Sequence, residues 1–204
     1  HIVTTRPLIK GIISDFEVTE KMLKYFIEKV QGEGLSWYPR PRVVIGIPLD
    51  LTEVERKAVE DAVMGAGARN VQIVEEPMAA AIGARLPIKE ALGTMVVDIG
   101  GGVTEIAVLS LGGTVNWRVI PIAGDELNRN IIQYARDVLN LLLGEKTAEE
   151  IKIKLGSAIE LPETLECPMR GRDLMNGLPK EVTVTDSQIR DAISRSVRQI
   201  IEAI

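Results

Sequence analysis

"MVVDIGGGVTEIAVLSLGGTV", from Met95 to Val115, is the stretch on which the fold turns. Two hydrophobic runs flank one acidic residue, Asp98, and three consecutive glycines, Gly100 to Gly102. A buried strand entering such a turn leaves backbone N–H groups facing open space, and the anion that usually fills such a nest is a phosphate. The same glycines also suit a tight hairpin reversal, so local composition leaves both readings open.

Upstream of this stretch the chain alternates. Met22, Leu23, Phe26, Ile27 and Val30 recur with helical period and predict a helix over about residues 19–31. "RVVIGIP", Arg42 to Pro48, reads as a buried strand. Thr52 with Glu55 three residues later forms a capping box, which opens a helix ending near Gly65 or Gly67. "VQIVEE" from Val71 is a second short strand, and Pro77 in "PMAAAIGA" fits the first turn of another helix. Strand, helix, strand, helix is the pattern of an α/β layer with mostly parallel strands.

Downstream, Ile106, Val108 and Ser110 alternate against Ala107, Leu109 and Leu111, and Gly112-Gly113 turns the chain into "TVNWRVIPI" as an antiparallel hairpin. Leu127, Ile131, Ala135, Val138 and Leu142 predict a long helix after Gly124. Thr147 and Glu150 read as a capping box for a shorter helix through Leu155. "LECPMRG" and "KEVTVT" read as strands around "NGLP", and Thr185 with Gln188 caps a last helix lined by Ile189, Ile193, Val197, Ile200 and Ile204. The second half therefore reads as an α+β unit beginning near Pro121.

The bulk properties narrow the function. With 204 residues, 46% hydrophobic and 26% charged, the chain can bury a sizeable core in one domain or two small ones. A net charge of −5 argues against nucleic acid as the main partner. The single cysteine, Cys167, rules out an intrachain disulfide and a cysteine metal cluster, which makes the cytoplasm the default compartment. His1 at the start and a periodic helix running to Ile204 suggest a piece of something longer.

Phosphate chemistry needs glycines for close approach, a hydroxyl, and a carboxylate at a strand end to hold Mg²⁺. Asp98, Gly100, Gly101, Gly102 and Thr104 supply that set; the alternative is that Asp98 merely caps a tight reversal. A GxxxxGK[ST] loop is absent, and so is a GxGxxG turn opening a helix. Glu75 and Glu76 end a strand where α/β sheets carry functional loops, and a carboxylate there can orient a water in line with a phosphoryl group. A solvated strand end is the other reading.

Several separated motifs, in order, carry a resemblance. "VEEPMAAAIGA", "MVVDIGGGVTEIAVLSLGG", "IAGDELNRNIIQY", "GEKTAEEIKIKLGSA" and "GRDLMNGLP" together resemble the MreB family of bacterial actin homologues, and the likeness covers nearly the whole chain. It implies an α/β actin-like ATPase fold, with ribonuclease-H-like sheets in two lobes around an ATP cleft and a small α+β subdomain. On that pattern residues 1–120 are the remainder of subdomain IA, lacking the first phosphate motif and IB. Residues 121–204 are part of lobe II, comprising the start of IIA, then IIB, and a return toward IIA.

The resemblance also implies roles. Asp98 coordinates Mg²⁺, Gly100, Gly101 and Gly102 form the phosphate loop with Thr104 beside them, and Glu76 polarises the attacking water. Gly124, Asp125 and Glu126 meet ribose or phosphate, and Glu149, Lys152 and Gly156 receive the nucleoside. The implied ligands are ATP or ADP with Mg²⁺. The implied partners are further copies in a filament, the inner face of the cell membrane and cell-wall elongation proteins, with no nucleic acid.

Val103 departs from the family, which has threonine there, and removes a hydroxyl near the terminal phosphate. An acidic glycine-rich first phosphate motif and a "GGGA"-like adenosine motif are also absent, so this chain by itself is expected to hydrolyse ATP weakly or not at all. The competing reading is a structural polymer subunit without a complete nucleotide site. A sugar-kinase or chaperone relative would share the sheets, but substrate-specific regions for either are not found. In "GEGLSWYPRPR", Leu35, Trp37 and Tyr38 beside Arg40 and Arg42 suit a bilayer interface or, equally, a loop with a partly buried tryptophan.

Overall fold

The computed structural model describes residues 5–31 and 40–204. Contacts divide the chain into two units: one holds residues up to Asp98 together with Glu105–Val119, the other Ile99–Thr104 together with Ile120–Ile204.

The first unit opens with a small antiparallel hairpin, β1 (Leu8–Ile9) and β2 (Ile12–Ile13). Its turn, Lys10-Gly11, has positive φ at both positions, the geometry that matches strand twist. Helix α1 (Phe16–Gln31) follows, starting before the expected residue 19 because the Asp15 carboxylate accepts the Val18 N–H at 3.0 Å. Its periodic face is only partly covered: Leu23 packs on the core, whereas Phe26 and Val30 are 51% and 88% exposed.

Strand β3 (Arg42–Ile47) pairs in parallel with β4 (Asn70–Glu75), joined by α2 (Glu53–Gly65). The Thr52 and Glu55 capping box is present, each side chain accepting the other residue's N–H. Ile47, Val59, Val63 and Ala68 form the core of this layer. Helix α3 (Glu76–Gly83) starts directly at the end of β4, with Pro77 in its first turn.

A sheet of β5 (Thr94–Ile99), β6 (Thr104–Ser110) and β7 (Gly113–Ile120) follows, with β6 in the centre. Leu111 and Gly112 join β6 to β7 with positive φ at both, so this two-residue connection makes an antiparallel hairpin. The expected in-out alternation along β6 is replaced by burial of nearly every residue, because both faces of this central strand are covered. Val96, Ala107 and Leu109 pack with Ala81 of α3.

In the second unit, α4 (Gly124–Leu139) ends earlier than its periodicity predicted. Asn140 takes a left-handed conformation, φ 51°, and the chain turns into β8 (Leu141–Leu142). Leu142 is therefore strand, not helix. α5 (Glu145–Leu155) begins with Gly144 as its cap, so Thr147 sits inside the first turn and its expected capping box with Glu150 does not form. β9 (Glu166–Asp173) pairs antiparallel with β10 (Pro179–Thr185) on one side and β8 on the other. α6 (Asp186–Ala203) carries the Thr185 and Gln188 capping box as expected. Ile131 of α4, Ile151 of α5, Met169 of β9 and Ile189 and Ile193 of α6 meet in one core.

Candidate functional site

In the first unit the site is built from carboxyl groups. Because α3 begins directly after β4, Glu75 and Glu76 stand at the junction of strand and helix. Glu75 accepts the Thr114 hydroxyl at 2.6 Å and is thereby tied to β7. Glu76 lies beside Gly46 of β3, where an added Cβ would stand 3.2 Å from its Cγ, so only a glycine leaves its usual room.

Glu105, which the sequence reading did not single out, is the third member. It is 1% exposed, as the second residue of β6, between Thr104 and Ile106. Its Oε1 accepts the Leu49 N–H at 2.7 Å, while Oε2 is buried without a hydrogen-bond partner among the described residues. Burial pushes the Glu105 carboxyl up to about 7, against the Leu49 hydrogen bond and with the help of the neighbouring Glu76 and Asp98 charges. Burial also raises Glu76, the neighbouring Glu105 carboxyl opposes that rise, and the Asp98 charge adds to it. The available signal was a lone carboxylate inside an otherwise apolar strand.

Asp98 is half-buried at the end of β5 and has no ion-pair partner among the described residues. Those residues contain no group of three His, Cys, Asp or Glu side chains spaced to enclose a metal. A carboxylate at a strand end, as at Asp98, is a hard oxygen donor of the kind that suits Mg²⁺.

The second unit carries the glycine turn. The Gly100 N–H donates to the Val103 carbonyl at 3.0 Å, closing the turn. The start of α4 docks on it: the Gly124 N–H donates to the Gly100 carbonyl at 3.1 Å and the Asp125 N–H to the Gly101 carbonyl at 2.8 Å. A Cβ on Gly124 would lie 3.3 Å from the Gly100 oxygen and 3.2 Å from Lys152 Nζ, so glycine permits this approach. A Cβ on Gly101 would meet nothing within 4 Å, which leaves open space over the turn.

Lys152 Nζ donates to the Gly124 carbonyl at 3.2 Å and brings a positive charge to the same place. Glu149, Lys152 and Gly156 follow i, i+3, i+7 spacing from α5 to its C-cap and share one stripe. Gly156 is needed there because a Cβ would stand 2.4 Å from the Lys152 carbonyl oxygen. The Glu126 carboxylate pairs with Arg129 at 3.0 Å.

The Thr104 side chain is fully buried and its hydroxyl donates to the Ile122 carbonyl at 2.6 Å, fastening the end of the turn to the segment before α4. Leu35, Trp37 and Tyr38 lie outside the described residues.

The sequence matches the family described as MreB/Mbl protein over residues 1–204. It is 46% identical to the cell shape-determining protein MreB of Escherichia coli (strain K12), and 44% identical to the cell shape-determining protein Mbl of Bacillus subtilis (strain 168). Both likenesses cover 100% of this chain, which spans only 58% and 60% of those relatives. Among solved structures, MreB5 of Spiroplasma citri bound to ADP superposes with a TM-score of 0.90 at 32% identity, over 98% of this chain and 59% of that one. The double helical filament of MamK, at 20% identity and a TM-score of 0.78 over 97% of this chain and 59% of that one, shares the fold. The fold is therefore the actin-like ATPase fold expected from the sequence.

Proposed function

The chain belongs to the MreB/Mbl family, and we propose that the complete protein carrying it is an actin-like cytoskeletal ATPase. It binds ATP, hydrolyses it to ADP and phosphate, polymerises into filaments at the inner face of the cell membrane, and so organises cell shape. The observation that carries this reading is the carboxyl cluster of Glu76, Glu105 and Asp98, continued along the chain by the glycine turn. Relatives crystallised with ADP and with AMPPNP support a nucleotide as the ligand.

In this reading Gly100, Gly101 and Gly102 bring backbone N–H groups to phosphate oxygens, and Lys152 adds a positive charge. Asp125 and Glu126 offer carboxylates to ribose hydroxyls, and the stripe of Glu149, Lys152 and Gly156 borders the nucleoside. Asp98 holds Mg²⁺ through water, and the ion when bound offsets phosphate charge. Glu76 accepts a hydrogen bond from a water whose oxygen bonds to the terminal phosphorus. The bond to the bridging oxygen breaks, its electron pair leaves with ADP, and the water's protons end on the product phosphate.

Membrane attachment through Leu35, Trp37 and Tyr38 belongs to the same proposal. It is supported by the flanking Arg40 and Arg42, which are exposed, and by the exposed Phe26 and Val30. No described helix is long and apolar enough to cross a membrane. Residues 1–120 and 121–204 are assigned to the remainder of IA and to part of lobe II, respectively.

Calorimetric titration of the full-length protein with ATP and Mg²⁺ tests the reading. Binding that is lost in Gly101→Val is expected. A folded protein that does not bind, or whose affinity ignores this substitution, refutes it; binding without turnover leaves a structural polymer subunit.

A further inference from the structure

At the end of the parallel layer opposite to Glu76, β3 and β4 begin level with each other, Arg42 against Asn70 and Val44 against Gln72. Side chains two positions apart on a strand share a face, and all four of these are exposed. Arg69 stands directly before β4, where its N–H donates to the Pro41 carbonyl at 2.8 Å and ties the two strand starts together. Arg42, Val43, Val44, Arg69, Asn70 and Gln72 line a pocket of about 430 Å³.

The lining holds two guanidinium groups and two side-chain amides but no carboxylate, although acids outnumber bases by 29 to 24 in the sequence. Neither Arg42 nor Arg69 has an ion pair or a side-chain hydrogen bond among the described residues. Two unpaired like charges on one pocket repel each other, and an anion between them turns that repulsion into attraction. Guanidinium forks match phosphate oxygens in pairs, and the amide N–H groups of Asn70 and Gln72 are further donors.

We propose that this pocket binds the phosphate of an anionic lipid headgroup, adding a phosphate-specific contact to the membrane attachment proposed for Leu35, Trp37 and Tyr38, on which the inference rests. Two observations favour a lipid over other anions. Tyr38 precedes Arg42 by four residues, so the segment proposed to meet the bilayer leads into β3 almost at once. Val44 is 66% exposed within the same pocket, which suits a ligand whose charge is joined to an apolar body. Arg69 reaches this place only through the parallel pairing of β4 with β3, so the site is not a run of basic residues along the chain.

Sedimentation of the full-length protein with vesicles of phosphatidylglycerol in phosphatidylcholine tests the proposal, with melts to show that each variant folds. An arginine near an anionic surface contributes about 5-fold in affinity by charge alone, so Arg42→Gln with Arg69→Gln is expected to weaken binding by about 30-fold or more. Lys57→Gln with Lys89→Gln removes the same charge from other exposed positions of the first unit and should cost less than about 3-fold. Arg42→Lys with Arg69→Lys keeps the charge without the fork, and should still lose about 5-fold or more.

Wild-type binding by the glutamine pair, an equal loss in the Lys57 and Lys89 control, or full binding by the lysine pair overturns the pocket and leaves membrane attachment standing. The first of these results would point to an acidic protein segment as the occupant. A folded wild type that sediments with no vesicle overturns both. Inorganic phosphate at about 10 mM and constant ionic strength should leave vesicle binding within about 2-fold, because a filament holds many headgroups at once. Displacement by that ion would assign the pocket to free phosphate and overturn the lipid.

Discussion

Thr114 donates its hydroxyl to the Glu75 carboxylate at 2.6 Å, while the next residue, Glu76, lies against Gly46 of β3. Two adjacent acids thus have different surroundings. Glu76→Ala is expected to lower hydrolysis by about 10²-fold or more with binding nearly intact, since a positioned acceptor acts mainly in the transition state. Glu75→Gln should leave the rate nearly unchanged. Single-turnover phosphate release measures both, and a reversed order would transfer the role to Glu75.

Gly124 should tolerate no side chain. An alanine there presses on the Gly100 carbonyl and on Lys152 Nζ, so the glycine turn must shift. Gly124→Ala is expected to weaken ATP binding by roughly 10-fold or more, about 1.4 kcal/mol, in a calorimetric titration. Unchanged affinity would mean the turn gives way at no cost.

Stability should fall as pH rises. The Glu105 carboxyl is raised from 4.5 to about 7 in the folded chain, so its contribution is complete below about 4.5 and is lost as pH rises through 7. The loss is at most roughly 3 kcal/mol. Denaturant melts between pH 5.5 and 8.5, without nucleotide or Mg²⁺, should show it in the wild type and a flatter profile in Glu105→Gln. Parallel profiles would exclude Glu105 as the source.

The Thr185 capping box should matter for the second unit. Its hydroxyl accepts the Gln188 N–H and the Gln188 side chain accepts the Thr185 N–H at 2.9 Å, closing the start of α6. Thr185→Ala is expected to cost about 1 kcal/mol in a denaturant melt. Thr147→Ala, at a position that only resembles a cap, should lose less.

Membrane binding should separate from polymerisation. Wild-type filaments are expected to sediment with anionic vesicles, and a Leu35, Trp37 and Tyr38 triple alanine variant to polymerise without doing so. A small anchor binds weakly as one copy and tightly when repeated along a polymer. Equal sedimentation would place attachment elsewhere.

What the sequence determined by itself is local. The Thr52 and Thr185 caps and the glycine turn after Asp98 depend on residues within a few positions of each other, where backbone geometry leaves few alternatives. Apolar periodicity was a weaker guide. It carried α4 past Asn140 into Leu142, because an apolar residue serves a helix face and a strand equally well and only pairing of β8 with β9 decides between them. The pattern Thr147-x-x-Glu150 was present without its geometry, since Gly144 had already started the helix. Tertiary structure alone decided which oxygens meet. Glu105 comes to Leu49, and Thr104 to Ile122, because segments far apart in the chain pack together. The raised Glu105 carboxyl is a property of the buried place in which that packing leaves it, not of any neighbour in the sequence.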